Sequence, residues 1–431
     1  MQCLRCDVRS ITSDLPLKRR KPIPAIQPKS ESMDTEFYRI KRLPPYVIAE
    51  VNAMRHAARQ AGRDIIDLGM GNPDLPPPQH VIDKMCEVAQ KPDAHGYSQS
   101  RGIPGLRRAQ ANYYGRRFNV DLDPEREVVV TMGSKEGLAS LATAISAPGD
   151  VILAPNPSYP IHTFGFIVAG ATIRSVPTTP DENYWKALEA AIAFTVPRPT
   201  VLIVNFPSNP TAEVVDLSFY ERLVAWAKEN KIWIISDLAY SELYFDGKPT
   251  PSILQVPGAK DVAVEFTSMS KTFSMAGWRM GFCVGNRDLI AALTRVKSYL
   301  DYGAFTPIQA AACAALNGPQ DVVERNRNLY QKRRDVMVEA FSRAGWDIPA
   351  PPASMFAWAP LPKGLEHMGS LEFAKQLLTH AEVAVAPGVG FGEMGEGFVR
   401  IAMVENEQRL RQAARNVKRF LQSVGITSSA A

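Results

Sequence analysis

The sequence contains no apolar run near the roughly 18 to 20 residues that a membrane-spanning helix needs, so no membrane partner is expected. Cysteine is scarce. Five residues (Cys3, Cys6, Cys86, Cys283 and Cys313) among 431 are too few and too scattered for a disulfide scaffold, which fits a reducing, cytoplasmic setting. Cys3 and Cys6 form a C-x-x-C, but no second pair or nearby histidine completes a zinc site. The six histidines form no ligand cluster either, so no metal is expected. Charge of one sign is also lacking: the net charge is +5, and residues 1–32, with seven Lys or Arg against three Asp or Glu, hold +4 of it. A near-neutral remainder argues against an extended nucleic-acid surface.

What is present is a chain long enough for two substantial cores, with ordinary apolar and charged fractions. Residues 1–32 lack an amphipathic period, carry Lys18 to Lys21 followed by Pro22, Pro24 and Pro28, and read as a disordered leader. Acids at Asp7, Asp14 and Glu31 are out of keeping with a transit peptide, and Met33, just ahead of the first structured-looking segment, is an alternative start. Helical patterns follow at Tyr46 to Ala61, His80 to Ala89 and Gly105 to Phe118, with a strand-like Ile65 to Leu68 and the loop G-M-G-N-P-D-L-P-P-P between the first two.

From Val128 to Val284 seven short β-branched runs alternate with helical segments such as Glu136 to Ile145 and Phe219 to Asn230. Several runs are apolar without alternation, as in strands covered on both faces, so the expected fold class is α/β with a mainly parallel sheet. Such sheets place ligand sites at the carboxyl ends of their strands. Beyond about Pro307 the pattern changes to long helices with short strand-like pieces, which reads as a smaller α+β domain.

The stretch F-T-S-M-S-K-T-F-S-M-A-G-W-R-M-G, Phe266 to Gly281, organises the rest. It sets Lys271 behind an apolar strand, after Ser268 and Ser270 and eight residues before Arg279. An amine among hydroxyls and a guanidinium suits a Schiff-base cofactor that carries a phosphate, although Ser-Lys-Thr also occurs on solvated surfaces. A P-loop is excluded because it needs glycine where Ser270 and Glu265 stand. Other strand ends carry T-M-G-S-K-E-G (131–137), whose Gly133, Ser134 and Lys135 open a helix, N-F-P-S-N-P-T (205–211), and S-D-L-A-Y (236–240). Each alone has a plain alternative as a turn or a helix cap.

Taken together and in this order, G-S-K, S-N-P-T, D-x-A-Y, S-x-S-K with Arg279, and F-V-R-I make the chain resemble the pyridoxal-phosphate aminotransferases of classes I and II, from about residue 35 to the C-terminus. The resemblance implies fold type I: a seven-stranded, mainly parallel sheet plus a smaller α+β domain built from both chain ends. The expected divisions are 1–32, an N-terminal arm and part of the small domain at 33–70, a large cofactor-binding domain at 71–306, and 307–431. It makes Lys271 the Schiff-base lysine and general base, and Asp237 the partner of the pyridine nitrogen. Asn209 and Tyr240 would bind the phenolic oxygen and Tyr159 would cover the ring. Gly133, Ser134, Lys135, Ser268, Ser270 and Arg279 would hold the phosphate, with Tyr97 reaching that of a neighbouring subunit in a homodimer. Arg400 and the backbone of Gly71 would hold the substrate carboxylate. One departure is visible: Ala212 stands where the family commonly has glycine after S-N-P-T, which questions the local backbone angle.

The implied activity is transamination between an amino acid and a 2-oxo acid. L-G-M-G-N-P-D, H-G-Y-S-Q-S-R-G-I-P and N-P-S-Y-P-I-H look closest to the bacterial alanine branch and its LL-diaminopimelate relatives. No distal clamp for a second carboxylate can be placed beyond the candidates Arg42 and Arg101, which favours alanine with 2-oxoglutarate or pyruvate. LL-diaminopimelate, aspartate, methionine and aromatic donors, a β-lyase, and a sensor domain of a transcription regulator are the alternatives.

Overall fold

The computed structural model describes residues 37–44 and 47–426. The expected leader at 1–32, Met33 and Tyr46 lie outside the described residues. Tyr38–Lys41 is a four-residue helix in a separate N-terminal unit, and everything from Arg42 onward forms a second unit.

Twelve strands are present among the described residues: β1 (Ile66–Asp67), β2 (Val128–Thr131), β3 (Val151–Asn156), β4 (Thr172–Pro177), β5 (Val201–Asn205), β6 (Trp233–Asp237), β7 (Ala263–Ser268), β8 (Gly281–Gly285), β9 (Phe356–Pro360), β10 (Val383–Ala384), β11 (Ala386–Pro387) and β12 (Phe398–Ala402). Seven of them form one sheet in the order β2-β8-β7-β6-β5-β3-β4, with β8 antiparallel to both neighbours and the other pairs parallel. Burial follows this order in part. All of β5 and β8 is buried, as suits strands flanked on both sides; of the two edge strands β2 is buried as well, whereas β4 keeps exposed residues.

Helices cover both faces. On one face Leu138, Leu141, Ile161, Phe166 and Leu293 pack against Ile152, Ile203 and Val264; on the other, Leu106, Tyr114, Leu188, Tyr220 and Leu223 pack against Leu153, Leu202 and Ile234. Asp181, Asp216 and Asn286 start three of the helices by accepting backbone N–H bonds in the first turn. Thr306–Asn317 places Ala311, Ala312, Ala315 and Leu316 in the second of these cores, so the large layer draws on chain beyond residue 306.

A second core gathers both ends of the chain. β1 pairs in parallel with β10, and β11, β12 and β9 make an antiparallel three-stranded sheet. Val51, Ile66 and Leu68 join Phe341, Trp346, Phe373 and Phe420 in that core. Among the described residues no helix is long and apolar enough to cross a membrane.

Candidate active site

The carboxyl ends of β5, β6 and β7, the start of the helix Ser134–Ile145, the loop after β1, and β12 surround one cavity of about 700 Å³. That size suits a cofactor with a small substrate. Lys271 lies in the short helix Met269–Thr272 directly after β7, started by Ser268, whose hydroxyl accepts the Ser270 N–H at 3.1 Å. The Lys271 Nζ donates to the Gly71 carbonyl at 2.6 Å. The side chain keeps some solvent contact along the cleft, but its amine is withdrawn from water. Burial, and then the positive charges of Arg400 and Arg279, lower its pKa from 10.5 to about 7. A large share of the amine is therefore neutral near pH 7 and able to act as nucleophile or base.

Asp237 ends β6 with its carboxylate in the cavity. Its Oδ1 accepts the Ala239 N–H at 3.2 Å, and its Oδ2 lies 2.9 Å from Nε2 of His162, a fully buried residue of the helix Pro160–Ala169. Asn205 at the end of β5 donates to the Asp237 carbonyl at 2.7 Å and accepts the Asn209 N–H at 2.8 Å. Asn209 in turn accepts from Arg400 Nη1 at 2.8 Å. One hydrogen-bonded chain thus joins the ends of β5 and β6 to β12. Tyr240 lies beside Asn209, and burial raises its phenol well above the usual value.

At the opposite end no side chain among the described residues caps the helix Ser134–Ile145, so its first N–H groups face the cavity uncapped. Gly133, at φ +82°, precedes it; a Cβ there would collide with the Arg279 guanidinium, so glycine is what lets the arginine lie against the turn. Ser134, Ser268, Ser270 and Arg279 all line this end, and Lys135 Nζ lies 5.9 Å above the Tyr159 ring. This set of amide, hydroxyl and guanidinium donors can hold a phosphate.

Arg400, buried on β12, is held by aromatic faces as well as by hydrogen bonds. Its Cζ lies 4.0 Å from the Phe356 ring centre and 4.7 Å from that of Phe391, and Nη2 donates to the Gly69 carbonyl at 2.9 Å. Gly71 abuts the same Phe356 ring, where a Cβ would clash.

The predicted residues Gly71, Ser134, Lys135, Tyr159, Asn209, Asp237, Tyr240, Ser268, Ser270, Lys271, Arg279 and Arg400 therefore share one cavity, with Gly133 behind it. Tyr97 does not join them: it is 88% exposed and packs at a tilt against Tyr302, ring centres 4.5 Å apart. The two arginines considered for a distal clamp are engaged elsewhere. Arg42 donates to the Ala171 carbonyl at 2.8 Å, and Arg101 pairs with Glu125 at 3.5 Å. Sequence reasoning missed His162, Asn205, Phe356 and Phe391. For His162 a signal existed, since it follows Tyr159 by three residues and so shares its side of the helix start.

The family model "Aminotransferase class I and II" matches residues 63–417. The chain is 63% identical over 392 residues to a putative aminotransferase AatC of Rhizobium meliloti, covering 91% of this chain and 97% of that one. It is 52% identical over 393 residues to the glutamate-pyruvate aminotransferase AlaC of Escherichia coli (91% and 95%), and 42% identical over 389 residues to an LL-diaminopimelate aminotransferase of Moorella thermoacetica (90% and 99%). Substrate-bound BacF from Bacillus subtilis superposes with a TM-score of 0.83 at 35% identity, covering 90% of this chain and 98% of BacF. A Thermus thermophilus aspartate aminotransferase mutant also gives 0.83, at 29% identity (90% and 100%). The fold is therefore fold type I, and the chain belongs to the class I and II aminotransferases, enzymes that use pyridoxal 5'-phosphate.

Proposed function

We propose that this aminotransferase moves the amino group of a small neutral amino acid, alanine first, to and from 2-oxoglutarate or pyruvate. One observation carries the choice of donor: the cationic side chains lining the cavity are Lys135, Lys271, Arg279 and Arg400, and among the described residues no further arginine lines it to fix a second carboxylate, so that of 2-oxoglutarate would rely on water-mediated contacts. The 52% identity to a glutamate-pyruvate aminotransferase supports the same reading. LL-diaminopimelate is the second reading, favoured by the 42% identical relative of that name.

The residues fit pyridoxal 5'-phosphate in the character of their donors: a carboxylate at one end of the cavity, phosphate donors at the other, and an amine of lowered pKa. When bound, the cofactor supplies a carbonyl carbon that exchanges amines and a protonated ring that draws electrons from the substrate Cα. Asp237, oriented by His162 and the Ala239 N–H, holds the ring-nitrogen proton. Asn209 and Tyr240 would hold the phenolic oxygen, and Tyr159 would cover the ring. The N–H groups of Ser134 and Lys135, the hydroxyls of Ser268 and Ser270, and Arg279 hold the phosphate, with Gly133 leaving the guanidinium its room. Arg400 takes the substrate α-carboxylate as a fork, helped by the Gly71 backbone. Lys271 Nζ would hold the cofactor covalently and, as a free neutral amine, would accept the substrate Cα proton. A second oxo acid recovers the amino group by the reverse path.

The active unit in this reading is a cytoplasmic homodimer. Tyr97 and Tyr302 pack against each other on the surface, and Tyr299, Leu300 and Phe305 are exposed in the segment around Tyr302, an apolar patch that a second copy would cover. Tyr97 then reaches the partner's phosphate. Cys86, Cys283 and Cys313 are free thiols, which supports a reducing compartment.

The test is kcat/KM for alanine, aspartate, phenylalanine and LL-diaminopimelate with one acceptor. Alanine should lead. A tenfold excess of aspartate or LL-diaminopimelate over alanine, about 1.4 kcal/mol in transition-state binding, would require a distal clamp and overturn the neutral-donor reading.

A further inference from the structure

We propose that Lys297 is a positioning residue that neutralises Glu136 and so keeps the turn Met132–Ser134 fit to receive a dianionic phosphate. The inference rests on the reading that this end of the cavity holds the cofactor phosphate.

Lys297 lies in the helix Arg287–Leu300, which follows β8, and is fully buried. An isolated ammonium in such a place is strongly disfavoured, so its partners define its role. They are two carboxylates on different elements: Glu136, whose Oε1 and Oε2 lie 3.3 and 3.2 Å from Nζ, and Asp301, at 2.8 Å. Asp301 is itself fixed, because its carboxylate accepts the Gly303 N–H at 2.6 Å and its carbonyl accepts from the Ser100 hydroxyl. The cation is therefore anchored from one side and presented to Glu136 on the other.

Glu136 is the residue through which this anchoring reaches the site. It occupies the first turn of the helix Ser134–Ile145, two positions after Ser134. Its Oε2 accepts the Met132 N–H at 2.8 Å and its Oε1 accepts from the Ser140 hydroxyl at 2.7 Å, so the carboxylate ties the end of β2 to the helix. The tie sets the backbone directly ahead of Gly133, against which Arg279 packs. An acidic side chain at a helix start ordinarily competes with a bound anion for the same positive field. Lys297 removes that competition while preserving the hydrogen bond that shapes the turn. Without the cation, Glu136 and Asp301 would lose their shared counter-ion, and the uncancelled charge of Glu136 would stand two positions from Ser134, at the helix end read as receiving the phosphate.

The experiment compares binding of pyridoxal 5'-phosphate and of pyridoxal, which lacks the phosphate, to the full-length protein stripped of cofactor, read by quenching of tryptophan fluorescence. The ratio of the two affinities measures the phosphate's contribution. In Lys297→Met this ratio should fall at least tenfold while pyridoxal affinity changes less than threefold. The double variant Glu136→Gln with Lys297→Met should regain most of the ratio, because the amide oxygen still accepts the Met132 N–H without bringing a charge. A double-variant ratio below one-third of wild type overturns the proposal, and should Lys297→Met not fold, Lys297→Gln, which lacks the charge but keeps a donor, takes its place with the same expected fall. A ratio within twofold of wild type in a folded Lys297→Met overturns the role of Lys297 alone. Equal affinity of wild-type protein for the two ligands would instead overturn the phosphate-end reading, and this inference with it.

Discussion

His162 Nε2 lies 2.9 Å from Asp237 Oδ2, and the imidazole that makes this contact is wholly enclosed in the core. Since an ionised carboxylate can only accept, the imidazole donates, and the tautomer with hydrogen on Nε2 is the one the contact selects. Asp237 is thereby held by two groups from different elements, the Ala239 N–H and the His162 ring.

Replacing His162 by Phe keeps the volume and removes the donor. A hydrogen bond to a charged group contributes about 1.5 to 3 kcal/mol, so kcat/KM should fall roughly 10- to 100-fold with cofactor still bound. His162→Gln, which can donate again, should recover part of the loss. Equal activity of His162→Phe and wild type would show that Asp237 needs no such support.

Ala212 has φ +60° and is buried, with its N–H donating to the Ser208 carbonyl at 3.0 Å. A left-handed backbone at a residue bearing a Cβ costs about 1 to 2 kcal/mol. Glycine would relieve this but also gain freedom in the unfolded chain, worth about 0.4 to 1 kcal/mol the other way. Ala212→Gly should therefore be stabilising by about 0.5 to 1 kcal/mol, seen as a higher urea midpoint with unchanged slope. A lower midpoint would mean that packing of the Ala212 methyl group outweighs the backbone strain.

Lys271 links stability of the cofactor-free protein to pH. Its folded pKa, about 7, lies below the ordinary 10.5, so between those values the unfolded chain binds more protons than the folded one. Stability then rises as pH increases from about 7 towards 10.5, because the cost of enclosing a charged amine is progressively relieved. The full effect is roughly 3 to 5 kcal/mol. Urea unfolding of cofactor-free wild type and Lys271→Met at pH 6, 8 and 9.5 isolates it. The wild type should gain on the variant at each step, and a constant difference between them would place the amine in contact with bulk water.

Much of this architecture is legible in the sequence because it follows from local rules. Runs such as Val128–Thr131 and Val201–Asn205 are apolar up to their last residue, which marks strands covered on both faces, and the polar residues that end or follow such runs fall at the carboxyl ends where the cavity forms. What was not legible depends on elements meeting at a distance. His162 reads as one more residue of an apolar helix until β6 brings Asp237 beside it. Phe356 and Phe391 carry no local mark of a site, and only the pairing of β9 with β12 and the turn after β11 bring them against Arg400. Lys297 reads as a solvated helix lysine because the carboxylate of Glu136 that encloses it lies 161 positions away. Arg42 and Arg101 failed for the same reason: their carbonyl and carboxylate partners are set by tertiary packing.

Arg400 offers the sharpest separation between substrate binding and cofactor binding. Its guanidinium is flanked by Phe356 and Phe391, with one nitrogen on Asn209 and another on the Gly69 carbonyl, so its plane and direction are fixed before any carboxylate arrives. Lysine in its place keeps the charge but loses the planar fork, the aromatic packing and at least one of these bonds. Arg400→Lys should therefore lower kcat/KM for alanine by about 30- to 1,000-fold, or roughly 2 to 4 kcal/mol, through a raised KM more than a lowered kcat. Cofactor retention on gel filtration should be unchanged, since the proposed phosphate donors Ser134, Ser268, Ser270 and Arg279 are untouched. The loss should be similar for alanine and for 2-oxoglutarate, because both present a carboxylate next to the reacting carbon. A variant that loses alanine turnover and keeps that of another donor would mean that Arg400 meets the side chain of the substrate rather than its α-carboxylate.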